Sequence, residues 1–543
     1  MTILDLRADF SRFRCAAPRR INLAAHSHHE WPDVTFEAQM HCWDDAARLA
    51  GDKWRLVFGE LLPFVQRGIA AILNLPDPST IAIAPNTHEF LRRILSCFET
   101  KRAIRILTSD AEFHTLRRQL ARLEEDGIVA CTYIPADPPD AFPARFAEAA
   151  ARGRYDLVFV SQVFFTTGGT CGEVDAVVAA VPDRETFIVI DGYHGFMARP
   201  TDLAKVADRV FYVGGGYKYA MAGEGVCFLH CPPGFGPRPR DTGWFAEFGA
   251  LAAASGKTIA YPADGGRFLG ATFDPVGMYR MHAVLAWMAT RGVTVTQVHA
   301  HATALMAHFL NRLAPLSLKG LTRYDLITPF GDGAAHGNFL SFRAPDAAAI
   351  ERVLAAADIH ADHRGDRMRF GFGLATGVED VDAAICSSSH VAGTPPGHYR
   401  SARVSKLETR AARLKLPVAK KPVFAKIGPG VGLGYRRNQT AGTWVVRVAD
   451  GRGGNWTKAI GSADDFEEAD SNNTLDFWQA QDRARAVARG GRTVKATMAS
   501  QPRSAEHLVA TKPISGLAAA MLQTSAVSGH TFVNRWLTKE FRS

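Results

Sequence analysis

The 543-residue chain contains no uninterrupted run of about 18 apolar residues, the simplest signature of a transmembrane helix. Its opening stretch, MTILDLRADFSRFRCAAPRRINL, also lacks the apolar segment of a secretory signal. A cytoplasmic chain without a membrane span is expected. Cysteine is sparse, eight widely scattered residues, and the nearest pair, Cys227 and Cys231, has no second Cys or His pair to complete a zinc shell. No metal is expected, and the cysteines should be free thiols, buried or half-buried, in a reducing compartment. The spacing of a Walker-type phosphate loop is missing. Composition shows no bias either: 47% hydrophobic and 22% charged residues exclude disordered, collagen-like and coiled-coil proteins. The length suits roughly two to four domains.

What is present is an uneven charge. Met1 to Tyr399 holds 39 Lys and Arg against 43 Asp and Glu, whereas Arg400 to Ser543 holds 24 against 11, so the net +9 comes from the second part. Such asymmetry marks a basic module joined to a near-neutral one. The stretch SSSHVAGTPPGHYRSAR, Ser387 to Arg403, lies at the change and reads as the boundary. The expected division is an enzyme-sized domain over 1–392, a linker over 393–413, a small basic β-rich module over 414–490 and a poorly structured tail over 491–543.

Within the first part, short apolar runs alternate with amphipathic stretches, the pattern of an α/β fold with a mainly parallel, wound sheet. Buried strands are expected at TIAIAP (80–85), AIRILTS (103–109), DLVFVSQV (156–163), TFIVID (186–191), RVFYVGG (209–215) and GVCFLH (225–230). Helix patterns such as FLRRILSCF, HTLRRQLARLEEDG and GEVDAVVAAV separate them. Ligands of such folds bind at the carboxyl ends of the strands.

Chemistry-bearing residues stand at those ends. Asn86, Thr87 and His88 lead into a helix, where free N–H groups suit a phosphate, although Asn86 or Thr87 serves equally as an ordinary N-cap. Asp191 follows five residues of strand and would be partly desolvated, so it needs a cation such as a protonated pyridine, or else merely caps a turn with Gly192. His194 follows three residues later. Lys218, flanked by Tyr217 and Tyr219 in GGGYKYAMAGEG, is a candidate nucleophile or a plain surface lysine. In INLAAHSHHEWP, a strand would put His26 and His28 on one face, but no acid or Cys completes a metal shell; substrate contact by His28 and simple exposure both remain open.

In this order the residues resemble the pyridoxal 5'-phosphate (PLP) enzymes of fold type I, class V aminotransferase superfamily, and within it the kynureninases. The resemblance rests on DGYH (191–194), YKY (217–219) with the following AGEG, GWF (243–245), SQVFFTTGG (161–169) and RMRFGFG (367–373), and spans nearly all of 20–390. It implies a large domain over about 45–270 and a small α/β subdomain over about 271–392 that also takes in the N-terminal segment. Lys218 would bond the cofactor and later move protons at the substrate Cα. Asp191 would keep the pyridine nitrogen protonated, Phe113 would stack on the ring, and Thr87, His88 and Tyr217 would hold the phosphate or line its pocket. Arg369 would grip the substrate carboxylate bidentately, and His194, Trp244 and His28 would border the substrate. One side of such a site comes from a neighbouring subunit, so a homodimer acting on a small amino acid is implied.

The implied activity is hydrolytic Cβ–Cγ cleavage of a kynurenine-type substrate to alanine and an aryl acid, with a class V aminotransferase or β-lyase as the alternative on the same scaffold. Departures from the kynureninase pattern at Leu116, at Ser161-Gln162-Val163-Phe164-Phe165 and at Thr272-Phe273-Asp274 fall where the aryl group would be held. Cysteine desulfurase is disfavoured because no cysteine lies between Cys231 and Cys386. A third reading is an inactive PLP-fold protein with a DNA-binding tail. In the tail, TWVVRVA and NWTKAIG joined by DGRGG signal a hairpin. Arg436, Arg437, Arg447, Arg452 and Lys458 alternate there with Trp444 and Trp456, a pattern suited to weak DNA binding or to a solvated basic face. This stretch resembles the N-terminal arm-binding region of phage-type integrases without the recombinase catalytic domain, since no tyrosine follows Tyr435.

Overall fold

The computed structural model describes residues 3–392, apart from 100, 251–258 and 332–333, and residues 407–488, apart from 408–409, 429, 450–453, 468, 470–472, 478 and 482. The expected tail over 491–543, Arg452 and most of the expected linker lie outside the described residues. The chain divides into two compact units at about residue 394.

The first unit is built on a seven-stranded sheet of β1 (Ile81–Ala84), β2 (Ile104–Ser109), β3 (Val129–Ile134), β4 (Leu157–Ser161), β5 (Phe187–Asp191), β6 (Val210–Gly215) and β7 (Cys227–His230). Their order is β1-β7-β6-β5-β4-β2-β3. Neighbours pair in parallel except β7, which runs against both of its own. All six expected strands form. Helices cover both faces, so the central strands carry continuous apolar runs rather than alternation. Ile188, Val189 and Ile190 of β5 are wholly buried, and each contributes about 1.5–3 kcal/mol relative to exposure. The strand missing from the expectation is β3, an edge strand whose Ala130, Thr132 and Tyr133 are exposed and which therefore lacks such a run.

Preceding the sheet is α1 (Val34–Leu49); α2 (Thr87–Ser96) follows β1 and α3 (His114–Glu125) follows β2. After the sheet come α4 (Val276–Arg291) and α5 (Val295–Leu313), then a small three-stranded antiparallel sheet of β8 (Phe339–Arg343), β9 (Asp362–Arg364) and β10 (Arg367–Gly371), with α6 (Ala347–Ala356) between β8 and β9 and α7 (Val378–Ala392) after β10. Ile21–Asn22 pairs in parallel with Ile359–His360, which ties the N-terminal segment into this subdomain. Leu23, Phe309, Phe342, Phe370 and Phe372 form its separate core.

The expected strand at His26 is corrected. The segment at His26 is not a strand: Ser27 and His28 both donate their backbone N–H to Ala24 O, so the chain turns and His26 and His28 do not share a face. One helical stretch, Val34–Leu73, is long and apolar enough by length and composition to cross a membrane despite its interruptions by charge. Val57, Leu61, Val65, Ile69 and Leu73, spaced four apart, turn one of its faces into the main core. The eight cysteines are free, as expected, but Cys15 and Cys386 are exposed.

The second unit is a five-stranded sheet, β11 (Val423–Gly428), β12 (Val431–Arg436), β13 (Thr443–Ala449), β14 (Asn455–Ala463) and β15 (Thr474–Leu475), antiparallel except for the β14–β15 pair. The expected hairpin is β13–β14. Leu407 and Arg413, inside the segment expected as a linker, are buried in this unit. Asp465 organises its core, accepting hydrogen bonds from Tyr435 Oη (2.6 Å), Gly442 N (2.8 Å) and Arg413 Nε (3.1 Å). Trp444 is buried too and is not the aromatic support of the basic face; the Arg447 guanidinium instead lies 4.1 Å from the ring centre of Phe424.

Gly192, directly after β5, has no room for a side chain: a Cβ there would meet the Tyr212 ring at 2.0 Å, and Tyr212 is itself buried and donates to Gln162 Oε1 at 2.8 Å. Gly192→Ala is expected to lower stability by roughly 1–3 kcal/mol, read by urea denaturation; an unchanged midpoint would contradict this packing.

Candidate active site

The carboxyl ends of β1, β4, β5 and β6 open into a cavity of about 480 Å³. Asp191 enters it because it is the last residue of β5, one position past the buried run. Its carboxyl accepts the N–H of Tyr193 at 2.9 Å. Burial pushes its pKa up to about 6, against the lowering effects of that bond and of Lys218.

Lys218 lies in the loop after β6. Its Nζ is 2.5 Å from His194 Nε2 and donates to His26 O at 3.2 Å. Neither partner is anionic. Burial, and next the positive Arg369, lower the amine to about 7 against the pull of Asp191 and Asp362. His194 is driven well below the usual histidine range, first by burial and then by Lys218, so a neutral ring faces the amine. The loop itself is anchored by Tyr219, whose hydroxyl donates to Asn338 O (3.0 Å) and Phe372 O (2.9 Å).

Asn86 and Thr87 line the cavity where α2 begins. Asn86 caps that helix by accepting Glu89 N at 3.1 Å, so the cap and the anion-binding readings describe the same end of one helix. Phe113 lines the wall and meets Phe165 edge-on, with ring centres 5.3 Å apart. Tyr217 lines it as well and shares a 2.8 Å hydrogen bond with His28 Nδ1. His28 stands behind Tyr217 rather than on the cavity wall.

Besides His28, two more expected residues are not brought to the cavity. His88 points away from it and is exposed, because the turn after Thr87 winds it onto the outer face of α2. Trp244 is 45% exposed and packs on Phe245, with ring centres 4.3 Å apart, away from the lining residues.

Arg369 does line the cavity, but its bidentate partner is Asp362: Nε to Oδ1 at 2.9 Å and NH2 to Oδ2 at 2.5 Å, with NH1 donating to Phe165 O. The pairing follows from register, since Asp362 of β9 lies opposite Arg369 of β10. His26 Nε2 stands 3.2 Å from the same carboxylate without hydrogen-bond geometry, and burial lowers its pKa to about 4. The glycines of RMRFGFG make room for these rings: a Cβ at Gly371 would meet His26 at 2.2 Å, and one at Gly373 would meet His29 at 2.5 Å.

A further acid escaped the sequence reading. Glu112, wholly buried, accepts hydrogen bonds from Ser109 Oγ (2.6 Å), Ser161 Oγ (2.5 Å) and Ser161 N (3.2 Å). Burial raises its pKa to about 7 in spite of them. The signal in the sequence was weak: an acid one residue before the expected stacking Phe113, in a turn where acids are usually solvated. Cys227 also lines the cavity, but burial holds its thiol up at about 12, unsuited to act as a thiolate.

A family model, aminotransferase class-V, matches residues 61–383. The chain belongs to this family. The matched class-V segment carries Thr87, Phe113, Asp191, His194, Lys218 and Arg369. Isopenicillin N epimerase of Streptomyces clavuligerus is 31% identical over 163 residues, which is 29% of this chain and 40% of that protein, so the chain spans less than half of this relative. Among solved structures, a C-DES mutant with glycine covalently linked to its PLP cofactor has a TM-score of 0.58 at 17% identity, covering 72% of this chain and 99% of that one. The cysteine desulfurase of Thermococcus onnurineus NA1 has 0.58 at 16% (72% and 98%), and the cysteine desulfurase CsdA of Escherichia coli 0.53 at 17% (70% and 98%). These likenesses show the fold, the fold type I architecture of PLP enzymes.

Glu112 supplies a test of the site's electrostatics. Its folded-state pKa lies above the ordinary glutamate value of 4.5, so the native state binds the extra proton between about pH 4.5 and 7 and stability falls as pH rises through that window. Glu112→Gln should flatten the fall relative to the unsubstituted protein by up to roughly 3 kcal/mol, read as the difference between two pH series of denaturant midpoints. Parallel series would contradict the assignment.

Proposed function

We propose that the cavity binds PLP and that the chain is a PLP-dependent enzyme acting at the Cα of an amino acid. The observation carrying this is a lysine whose amine is half neutral near pH 7, placed with a poorly solvated carboxyl in one cavity at the carboxyl edge of a parallel sheet. The residues fit the group. The start of α2 with Thr87 suits the phosphate, Phe113 offers a flat apolar face to the ring, and Asp191, costly to ionise alone, is relieved by a protonated ring nitrogen. Bound there, PLP supplies an electron sink for a carbanion at Cα. Lys218 would take and return the proton at Cα, with neutral His194 as its hydrogen-bond partner. Phe113 and Phe165 form an apolar wall of the same cavity.

The finer reading is kynureninase-like hydrolysis, supported by YKY with AGEG and by RMRFGFG; transamination, β-elimination and epimerisation use the same lysine and aspartate. The chain has no cysteine between Cys231 and Cys386 to serve as a desulfurase thiol. The proposal includes a homodimer, supported by Phe36, Met40 and Trp43, an exposed apolar stripe at helical spacing on α1.

Incubation with PLP followed by borohydride reduction and peptide mapping should label Lys218. Because its pKa is lowered, the labelling rate should rise through about pH 7 and then level, not climb toward pH 10. Lys218→Ala should abolish the near-visible absorbance band. Label spread over surface lysines would overturn the cofactor reading. With kynurenine, 3-hydroxykynurenine and common amino acids as a panel, alanine release without a keto-acid acceptor supports hydrolysis, and acceptor dependence overturns it in favour of transamination.

A second reading concerns the basic module. Lys426, Arg447 and Thr457 lie in register across β11, β13 and β14, with glycine at the intervening β12 position, and Arg447 rests on Phe424. This row suits weak contact with a phosphate backbone. Duplex DNA binding to the full chain, followed by fluorescence anisotropy, should weaken at least tenfold between about 50 and 200 mM salt and weaken further in Arg447→Ala. No binding at the lower salt would leave a solvated face.

A further inference from the structure

A second cavity, of about 390 Å³, adjoins the first, and Phe165 and Arg364 line both. Phe165 is a fixed post between them. Its ring packs edge-on against the neighbouring rings of Phe113 and His114, ring centres 5.3 Å away in each case, and its carbonyl accepts a hydrogen bond from Arg369. The shared lining puts this ring at the boundary of the two cavities.

The charges around the second cavity do not cancel. Asp137 is matched by Arg343 at 3.1 Å and by Arg367 at 4.0 Å. Asp110 accepts the backbone N–H of Ala136 at 2.9 Å. Glu112 is turned inward to the two serines. Arg364 stands 3.7 Å from Asp362, but that carboxylate is already gripped bidentately by Arg369. Arg117, one turn into α3, has no ion pair among the described residues. Arg117 therefore remains for a ligand, with Arg364 beside it sharing Asp362 and donating to His363 O, and guanidinium groups recognise a carboxylate by paired N–H bonds. Asp110 and Asp137 in the same wall repel a second negative charge, which favours a carboxylate over a dianionic phosphate.

We infer that the second cavity receives the distal carboxylate of the substrate, an amino acid whose side chain carries an acid at its far end and bends past Phe165, with its Cα in the first cavity. The inference rests on the cofactor reading of the first cavity and is independent of which bond is broken. Phe165, which departs from the kynureninase pattern, is thereby a specificity residue: it replaces part of an aryl pocket with a passage to an anion site.

Calorimetric titration of the full chain, loaded with PLP, with glutarate, adipate and pimelate against monocarboxylates of equal length provides the test. At least one diacid should bind tenfold or more tightly than its monoacid counterpart. That advantage should fall below threefold in Arg117→Gln and survive in part in Arg117→Lys; Arg117 is exposed, so neither substitution disturbs the core. Equal binding of diacids and monoacids, or a full advantage retained in Arg117→Gln, would overturn the inference. The absorbance band and the borohydride label on Lys218 report the cofactor reading separately: their loss sinks that reading, whereas a normal band with no diacid preference sinks only the distal site.

Discussion

Lys218 is held between a neutral imidazole and a backbone carbonyl, and neither partner can balance an ammonium charge. The rest of the site is arranged around that shortfall. Asp191 and Asp362 exert some pull on the amine, but Arg369 cancels part of it and burial outweighs the remainder. Burial lifts the Asp191 carboxyl toward 6, and the Tyr193 N–H and Lys218 offset only part of that rise. The two groups are each poorly served by the protein alone. A ligand bringing an electrophilic carbonyl to the amine and a protonated nitrogen to the carboxyl relieves both at once. That explains why the arrangement persists at the cost of stability, as strained and desolvated groups do at functional sites.

The sheet makes this possible because it delivers side chains of different strands to one edge. β5 ends in Asp191, the loop after β6 carries Lys218, and β1 runs into the start of α2. The small subdomain closes the same edge from the other side, through Tyr219 bonded to Asn338 and Phe372 and through Arg369 bonded to Phe165. A change in how that subdomain packs therefore alters the geometry at Lys218 without touching it.

Much of this was legible in the sequence because it depends on local signals. A continuous apolar run ending in an acid placed both β5 and Asp191, and a glycine-rich turn with a flanked lysine placed Lys218. What failed were features decided by neighbours distant in the chain. His88 shares the helix start with Thr87, yet the helical rotation of one residue carries it outward. Trp244 was placed by its motif, whereas its packing on Phe245 decides where it lies. The edge strand β3 lacks the burial that makes a strand readable. Glu112 was invisible because its two serine partners, Ser109 and Ser161, lie on different strands, and only their adjacency in the sheet turns a turn acid into a buried one.

The ion pair of Arg369 with Asp362 has the same origin, cross-strand register, and it changes what Arg369 can do. All three guanidinium nitrogens are engaged, by the two carboxylate oxygens and the Phe165 carbonyl, so that two of the five N–H bonds remain. A substrate carboxylate cannot displace Asp362 cheaply, because breaking a buried pair leaves an uncompensated charge costing about 3–5 kcal/mol. It must instead use the N–H bonds that remain. The guanidinium is planar, so fixing its three nitrogens fixes the direction of the two remaining N–H bonds. Asp362 thus trades part of the attraction of Arg369 for an anion against a set orientation. A substrate carboxylate at Arg369 would thus be positioned more than it is held, and the larger share of its binding energy would fall to charge elsewhere. Arg364 stands 3.7 Å from the same aspartate, on the wall the two cavities share, and on the proposed reading it would couple the orientation of a substrate's Cα end to the charge at its far end.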